Sequence, residues 1–243
     1  MWRSCCACTL AGARSQPQPA AAATGVSGRP RAPDGGAAGL LTVAGDAGRR
    51  ATIQSVTTCS ILLETKRLVM RRFTVEDVDL LVDLDADPAV VRYVTGGAPT
   101  PRDEVEHEWL PAFLAAYERG DGYGFWAAEE KPSRVFVGWF HLRPAAGMPR
   151  DEPELGYRLV RSAWGRGLAS EGAGALVDHA FADLGARRVV AECMAVHTAS
   201  LRVMEKAGLR FVRAFQQQWP LRIDGDEHGD VEYALTREEW SAR

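Results

Sequence analysis

The 243-residue sequence has no run of about 18 consecutive apolar residues, which excludes a transmembrane helix. It holds only five cysteines, an odd number without framework spacing, which excludes a disulfide scaffold and points to a reduced, cytoplasmic protein. Cys5, Cys6, Cys8 and Cys59 fall in the first sixty residues, and only Cys193 lies in the body. No second Cys pair or His completes a cluster with Cys5, Cys6 and Cys8, and the five His are scattered without ligand spacing, so no metal is expected. There is no excess of positive charge either. The chain carries 29 basic and 32 acidic groups, net −3, which argues against a nucleic-acid partner. Internal repeats and a phosphate loop ending in Gly-Lys-Ser/Thr are both missing.

What is present is the composition of a globular protein, 46% hydrophobic and 25% charged. Residues 1–60 differ from the rest. They carry six Arg and no Lys against Asp34 and Asp46, which leaves 23 basic and 30 acidic groups, net −7, for the remainder. From Gly12 to Arg50 the chain is Ala, Gly, Pro, Ser and Arg with almost no large apolar residue, too little to offset the entropy of ordering. A disordered leader over 1–60 and one folded domain over 61–243 are expected. The leader is Arg-bearing and acid-free up to Asp34 but lacks the amphipathic stripe of a transit peptide.

Periodicity and punctuation then give alternating elements. Strands are expected over 66–73, 124–130, 134–142, 154–160, 188–196, 211–217 and 230–235. Helices are expected after Thr74, from Pro101 to about Arg119, from Ala169 to Leu184 with an apolar stripe Ala173, Leu176, Val177, Ala180, Phe181, and over Thr198–Ala207 before Gly208. Trp109, Trp126 and Trp139 sit at core-compatible positions.

The most informative local feature is Trp164-Gly165-Arg166-Gly167-Leu168-Ala169-Ser170-Glu171, between a strand and a helix. Two glycines bring backbone N–H groups close to a ligand, and the helix N-terminus behind them favours an anion such as a pyrophosphate. A dinucleotide fingerprint competes, because Glu192 stands about where an acid would hold a ribose. Against it, Ser170 takes the third glycine position, and about fifty residues after Glu192 are too few for a doubly wound sheet.

Glu154-Leu155-Gly156-Tyr157, the glycine turn, and Ser200 with Glu205-Lys206-Ala207-Gly208 together resemble the GNAT superfamily of acetyl-coenzyme A-dependent N-acetyltransferases. Within it, the chain is most similar to the branch of ribosomal-protein N-terminal acetyltransferases and bacterial small-molecule acetylases. Glu64-Thr65-Lys66-Arg67-Leu68 and Tyr233-Ala234-Leu235-Thr236 resemble that branch's opening and closing strands. The resemblance implies a single α/β domain: a mixed, mostly antiparallel, splayed sheet of six to seven strands with about four helices. It implies acetyl-coenzyme A as the acetyl donor, with its pyrophosphate on the backbone of Gly165, Arg166, Gly167, Leu168, Ala169 and Ser170. Leu159 and Val160 on the strand, and His197 and Ser200 on the last short helix, complete the implied cofactor contacts.

Two positions depart from the family. His197 stands where the pattern has Asn, and Met204 where many members have a proton-donating Tyr. Ser200 is expected near the thiol; the missing proton donor is dispensable for a good leaving group, or its proton comes from solvent or the Ser200 hydroxyl, with Tyr157 and Tyr233 in reserve. Glu154 is the expected general base, and burial or an intervening water must adapt a carboxylate of pKa near 4.3 to the task. His197 is read as capping the helix start. The expected reaction is direct acetyl transfer to a primary amine, either a peptide N-terminus or a small amine such as an aminoglycoside or diamine. The alternative is a non-catalytic acyl-coenzyme A sensor or scaffold on the same fold. A monomer or homodimer without membrane contact is expected.

Overall fold

The computed structural model describes residues 60–145, 147–217 and 222–243. The expected leader over 1–60 thus lies, but for Ser60, outside the described residues, as do Cys5, Cys6, Cys8 and Cys59.

Eight strands form one sheet in the order β1-β2-β3-β4-β5-β6-β8-β7. They are β1 (Ile61–Glu64), β2 (Leu68–Arg72), β3 (Gly124–Glu130), β4 (Val135–Pro144), β5 (Pro153–Leu159), β6 (Arg188–Met194), β7 (Arg210–Phe215) and β8 (Asp230–Thr236). All neighbours are antiparallel except β5 and β6, which run parallel. That parallel pair is registered only at Glu154↔Val190, whereas β4 and β5 are paired from Gly138↔Leu159 to Pro144↔Pro153. Beyond Glu154 the two strands diverge, leaving a fork in the middle of the sheet.

The expected six to seven strands become eight. The addition is β1, four residues with a register shift against β2, too short for a period-two pattern to register. The helices also exceed the expected four. The described residues contain α1 (Val78–Asp85), α2 (Arg92–Thr95), α3 (Arg102–Glu104), α4 (Leu110–Glu118), α5 (Leu168–Ala182), α6 (Thr198–Ala207) and α7 (Arg237–Ser241). The helix expected from Pro101 to Arg119 is split by a π-helical turn over Val105–Trp109. Pro111 explains the break. It has no N–H for the bond to the residue four back, and the wider turn just before it absorbs the mismatch.

Alternation along the strands sends residues to two cores. Leu155, Tyr157, Leu159, Phe140 and Leu142 join the core formed with α5 and α6. Phe125, Trp139 and Ala127 join a second core with Leu81, Trp109 and Phe113 from the N-terminal helices. Trp109, Trp126 and Trp139 are all buried in these cores. The expected α5 stripe faces the sheet, and α5 lies so close that a methyl at Gly172 would overlap the Phe140 ring and the Met70 side chain.

Candidate functional site

On the α5–α6 side of the fork runs a groove of about 330 Å³. It is lined by Tyr157, Arg158 and Leu159 of β5, by Gly165, Gly167, Ala169 and Ser170 of the turn and first residues of α5, and by His197, Ser200, Arg202 and Lys206 of α6 and its approach. Its size falls within the range for small-molecule sites.

The glycine turn takes its shape from left-handed backbone, with φ of +68° at Gly165 and +78° at Gly167. Gly167 is the N-cap residue of the 15-residue α5, so the unpaired N–H groups of the first helical turn open at the groove. The turn is buttressed from the far edge of the sheet. Arg67 donates from Nε to Glu171 Oε2 at 2.6 Å and from Nη1 to the Arg166 carbonyl at 2.8 Å, and the Thr65 hydroxyl donates to Glu171 Oε1. Burial alone would raise the Glu171 carboxyl, but these hydrogen bonds hold it below the ordinary value. Replacing Gly167 with Val forces a β-branched residue into a left-handed conformation. A loss of acetyl-coenzyme A affinity of about tenfold or more is the expected result, measured by calorimetric titration.

Of the residues expected to bind the cofactor, Leu159, Gly165, Gly167, Ala169, Ser170, His197 and Ser200 come together on this groove. Val160, Arg166 and Leu168 do not line it. The Val160 amide donates to Val137, the Arg166 guanidinium pairs with Glu130, and Leu168 is buried in the core. Arg202 and Lys206, absent from the expected set, add two cations to a groove otherwise read as a phosphate site.

His197 occupies the N-cap position of α6, but its side chain makes no capping hydrogen bond; this corrects the expected role. Instead the imidazole stacks on Tyr93 of α2, ring centroids 4.4 Å apart and planes at 28°. Burial lowers its pKa to about 4, so the ring is neutral near pH 7. One turn further, Ser200 is buried with its Oγ 2.9 Å from the Tyr157 hydroxyl, which also donates to the Ser200 carbonyl at 3.1 Å. Met204 is wholly buried in the core, and the Tyr233 hydroxyl donates instead to Glu205. Of the two reserve tyrosines, the groove takes Tyr157.

The other face of the fork carries the acids. Glu154, Gly156 and Arg158 of β5 stand directly across from Arg143, His141 and Trp139 of β4. Glu154 is 0% exposed, with Oε2 3.5 Å from Arg143 Nη2 and 3.8 Å from His141 Nε2. Burial, then the charges of Arg143 and Arg158, push the His141 pKa well below its usual value, so this imidazole is neutral. Gly156 is required here, since a methyl at that position would overlap the His141 ring.

Glu192 of β6 lies two residues past Val190, the partner of Glu154, where the strands have parted. Burial, and after it the negative charges of Glu154 and Glu232, push its carboxyl up to about 7. Sequence reasoning missed this residue as an acid–base group because its position on the fork, and the neighbouring Glu232 across β8, exist only in the folded sheet.

Behind the groove, Asp85 of α1 accepts from Arg158 Nη1 with both oxygens at 2.6 Å and from the Thr100 hydroxyl at 2.7 Å. The guanidinium lies near the Trp109 and Trp139 rings, 5.6 and 5.3 Å from their centroids. Among the described residues, no group of three or more His, Cys, Asp or Glu is placed to hold a metal ion, and no helix is long and apolar enough to cross a membrane.

Comparison with known proteins agrees with this geometry. Residues 67–210 match the family model described as "Acetyltransferase (GNAT) domain". The chain is 34% identical over 186 residues to the FsC-acetyl coenzyme A-N(2)-transacetylase of Aspergillus fumigatus, covering 73% of this chain and 77% of that protein. It is 27% identical over 180 residues to the uncharacterized N-acetyltransferase YnaD of Bacillus subtilis, covering 74% and 99% of the two chains. Among solved structures, a GNAT-family acetyltransferase from Bacillus anthracis has the same fold, with a TM-score of 0.61, 22% identity, and 72% and 98% coverage. So does RimL, a ribosomal L7/L12 alpha-N-protein acetyltransferase solved in complex with coenzyme A, with a TM-score of 0.60, 20% identity, and 74% and 99% coverage.

Proposed function

The chain belongs to the GNAT family of acetyl-coenzyme A-dependent acetyltransferases, and we propose that it acetylates a small-molecule primary amine by direct attack, with Glu192 as the general base. One observation carries the reading: a carboxyl group poised at about pKa 7 faces the fork whose opposite side is a glycine-cradled phosphate groove. The neighbour named an N(2)-transacetylase and the net −7 of residues 61–243 favour a small cationic acceptor over a peptide N-terminus.

In this mechanism the groove holds the donor. Backbone N–H groups at Gly167, Leu168, Ala169 and Ser170 receive the pyrophosphate at the start of α5, and Arg202 and Lys206 of α6 supply positive charge. The edge of β5 past Glu154, around Tyr157, is available to the pantetheine arm because β6 has parted from it. The donor supplies a thioester whose carbonyl carbon is open to attack.

An amine of pKa about 8 is roughly one-tenth neutral at pH 7, so a base matched to neutral pH raises the reactive fraction. Glu192 takes the proton as the nitrogen forms its bond to the carbonyl carbon. Glu154, expected from the sequence to be the base, acts beside it as the negative charge that tunes Glu192 and attracts the ammonium. As the carbon–sulfur bond breaks, the Ser200 hydroxyl, aligned by Tyr157, donates toward the departing sulfur. A thiol of pKa about 8.5 is a good leaving group, so this donor contributes less than the base. Release of coenzyme A on addition of a primary amine, and its collapse in Glu192→Gln, distinguishes this enzyme from a sensor that binds the cofactor without turnover.

A further inference from the structure

Glu192 of β6 stands directly across from Glu232 of β8, and Glu232 stands directly across from Arg213 of β7. Side chains of directly paired residues share one face of a sheet, so these three form a row from the fork to the sheet edge. Arg213 donates from Nε to Glu232 Oε2 at 2.7 Å. Arg188, four residues before Glu192 on the same face of β6, donates to Glu232 Oε1. Burial alone would raise the Glu232 carboxyl, but these hydrogen bonds hold it below its ordinary value. The other charges that face Glu192 are Glu154 of β5 and Asp230 of β8; Arg213 is the cation among these neighbours.

Arg213 reaches the row through an irregularity in β7. Pairing runs from Arg210↔Ala234 to Phe211↔Tyr233, skips Val212, and resumes at Arg213↔Glu232. In a regular ladder Val212 would face Glu232, and Arg213 would point to the opposite side of the sheet. The bulge extrudes a valine that is 46% exposed and aims a cation at the two acids.

We infer that Arg213 is a positioning residue for the base: with Arg188 it holds Glu232 as a fixed anion, so that of the two facing carboxyls Glu192 is the one that exchanges a proton. The inference rests on the reading of Glu192 as base and deepens it. Two carboxyls at one site take different roles when their surroundings differ, and donors that favour the charged form decide which of them stays ionised. Arg213 also offsets part of the negative charge on Glu192, which keeps its proton removable near neutral pH. Its side chain is 58% exposed, and an exposed ion pair contributes little to stability, so its substitution leaves the fold intact.

The test reads the base directly. The full chain with carbon-13-labelled glutamate carboxyls is titrated by NMR, and the Glu192 signal is identified by its loss in Glu192→Gln. Arg213→Gln removes a positive charge, so the Glu192 midpoint rises by about half a pH unit or more. Arg213→Lys keeps the charge and restores most of the wild-type midpoint. Glu232→Gln removes a negative charge and moves the midpoint the other way. Coenzyme A release with putrescine and with kanamycin then follows the same order. In Arg213→Gln kcat falls about twofold at pH 7 and recovers well above the midpoint, whereas a merely structural loss lowers it at every pH. A Glu192 midpoint that Arg213→Gln leaves unchanged overturns the inference and leaves Glu192 standing as base. So does a midpoint that shifts while the kcat profile does not. A Glu192→Gln enzyme that keeps the wild-type pH profile overturns the base assignment, and this inference with it. Release of coenzyme A with neither amine overturns the small-amine reading and removes the inference with it.

Discussion

Glu192→Gln lowers kcat/KM for amine acetylation by about two to four orders of magnitude, the range of general base catalysis, while the affinity for acetyl-coenzyme A is retained. The residue lies on β6 two positions past the Glu154↔Val190 pair and does not line the groove of the glycine turn, proposed to hold the phosphates, so the two properties separate. Its folded-state pKa of about 7 stands above the ordinary 4.5, and the consequences have definite signs. Activity needs the carboxylate, so kcat rises with pH through about 7 in the wild type, and the variant loses that limb. Stability runs the other way. A raised carboxyl pKa favours the folded state below the unfolded value, and this contribution is lost as pH rises through about 7. Above pH 7 an ionised, partly buried Glu192 faces Glu154 and Glu232, and a neutral Gln relieves that repulsion. The variant is therefore at least as stable as wild type at pH 8 by thermal melting, so its lost rate is not lost fold. Glu154→Gln acts differently. It removes the largest charge acting on Glu192, so the kcat limb moves to lower pH.

Asp85→Ala produces the largest loss of stability. Asp85 is 1% exposed and accepts three hydrogen bonds, two from Arg158 and one from Thr100. Removing it takes away both hydrogen bonds that the Arg158 guanidinium, close to the Trp109 and Trp139 rings, makes to this carboxylate, and the acceptor of the Thr100 hydroxyl. Breaking one side of a buried ion pair costs about 3–5 kcal/mol. For a domain of this size that is a fall in melting temperature of about 10 °C or more, read by calorimetry or fluorescence.

The sequence carries the local half of this arrangement. The glycine turn, the α5 stripe and the strands around them are periodicities and punctuation within about ten residues, and the folded chain reproduces them with small shifts at the ends. Gly165, Gly167, Ser170 and Ser200 meet on one groove because the strand–turn–helix order that was read directly also sets their positions. The missing parts depend on contacts between distant segments. Arg67 and Glu171 are 104 positions apart, and Arg158 and Asp85 are 73 apart. Nothing at either residue alone announces its partner. Glu192 was visible only as an acid at a suggestive distance from a glycine turn; the neighbours that raise its pKa come from two other strands. The stacking of His197 is hidden for the same reason, since its partner Tyr93 belongs to a short helix without a periodic signature. One signal was there to be used: Thr236 and Glu239 form a reciprocal capping box that starts α7, and the Thr-x-x-Glu spacing is plain in the sequence.

The proposed mechanism requires acetyl-coenzyme A to lie in the groove of the glycine turn. The most direct test is a calorimetric titration of the purified protein with acetyl-coenzyme A, with NAD as the comparison ligand. One-to-one binding of acetyl-coenzyme A in the micromolar range and no heat from NAD is the expected result. Binding of NAD in place of acetyl-coenzyme A, or silence with both, would contradict it.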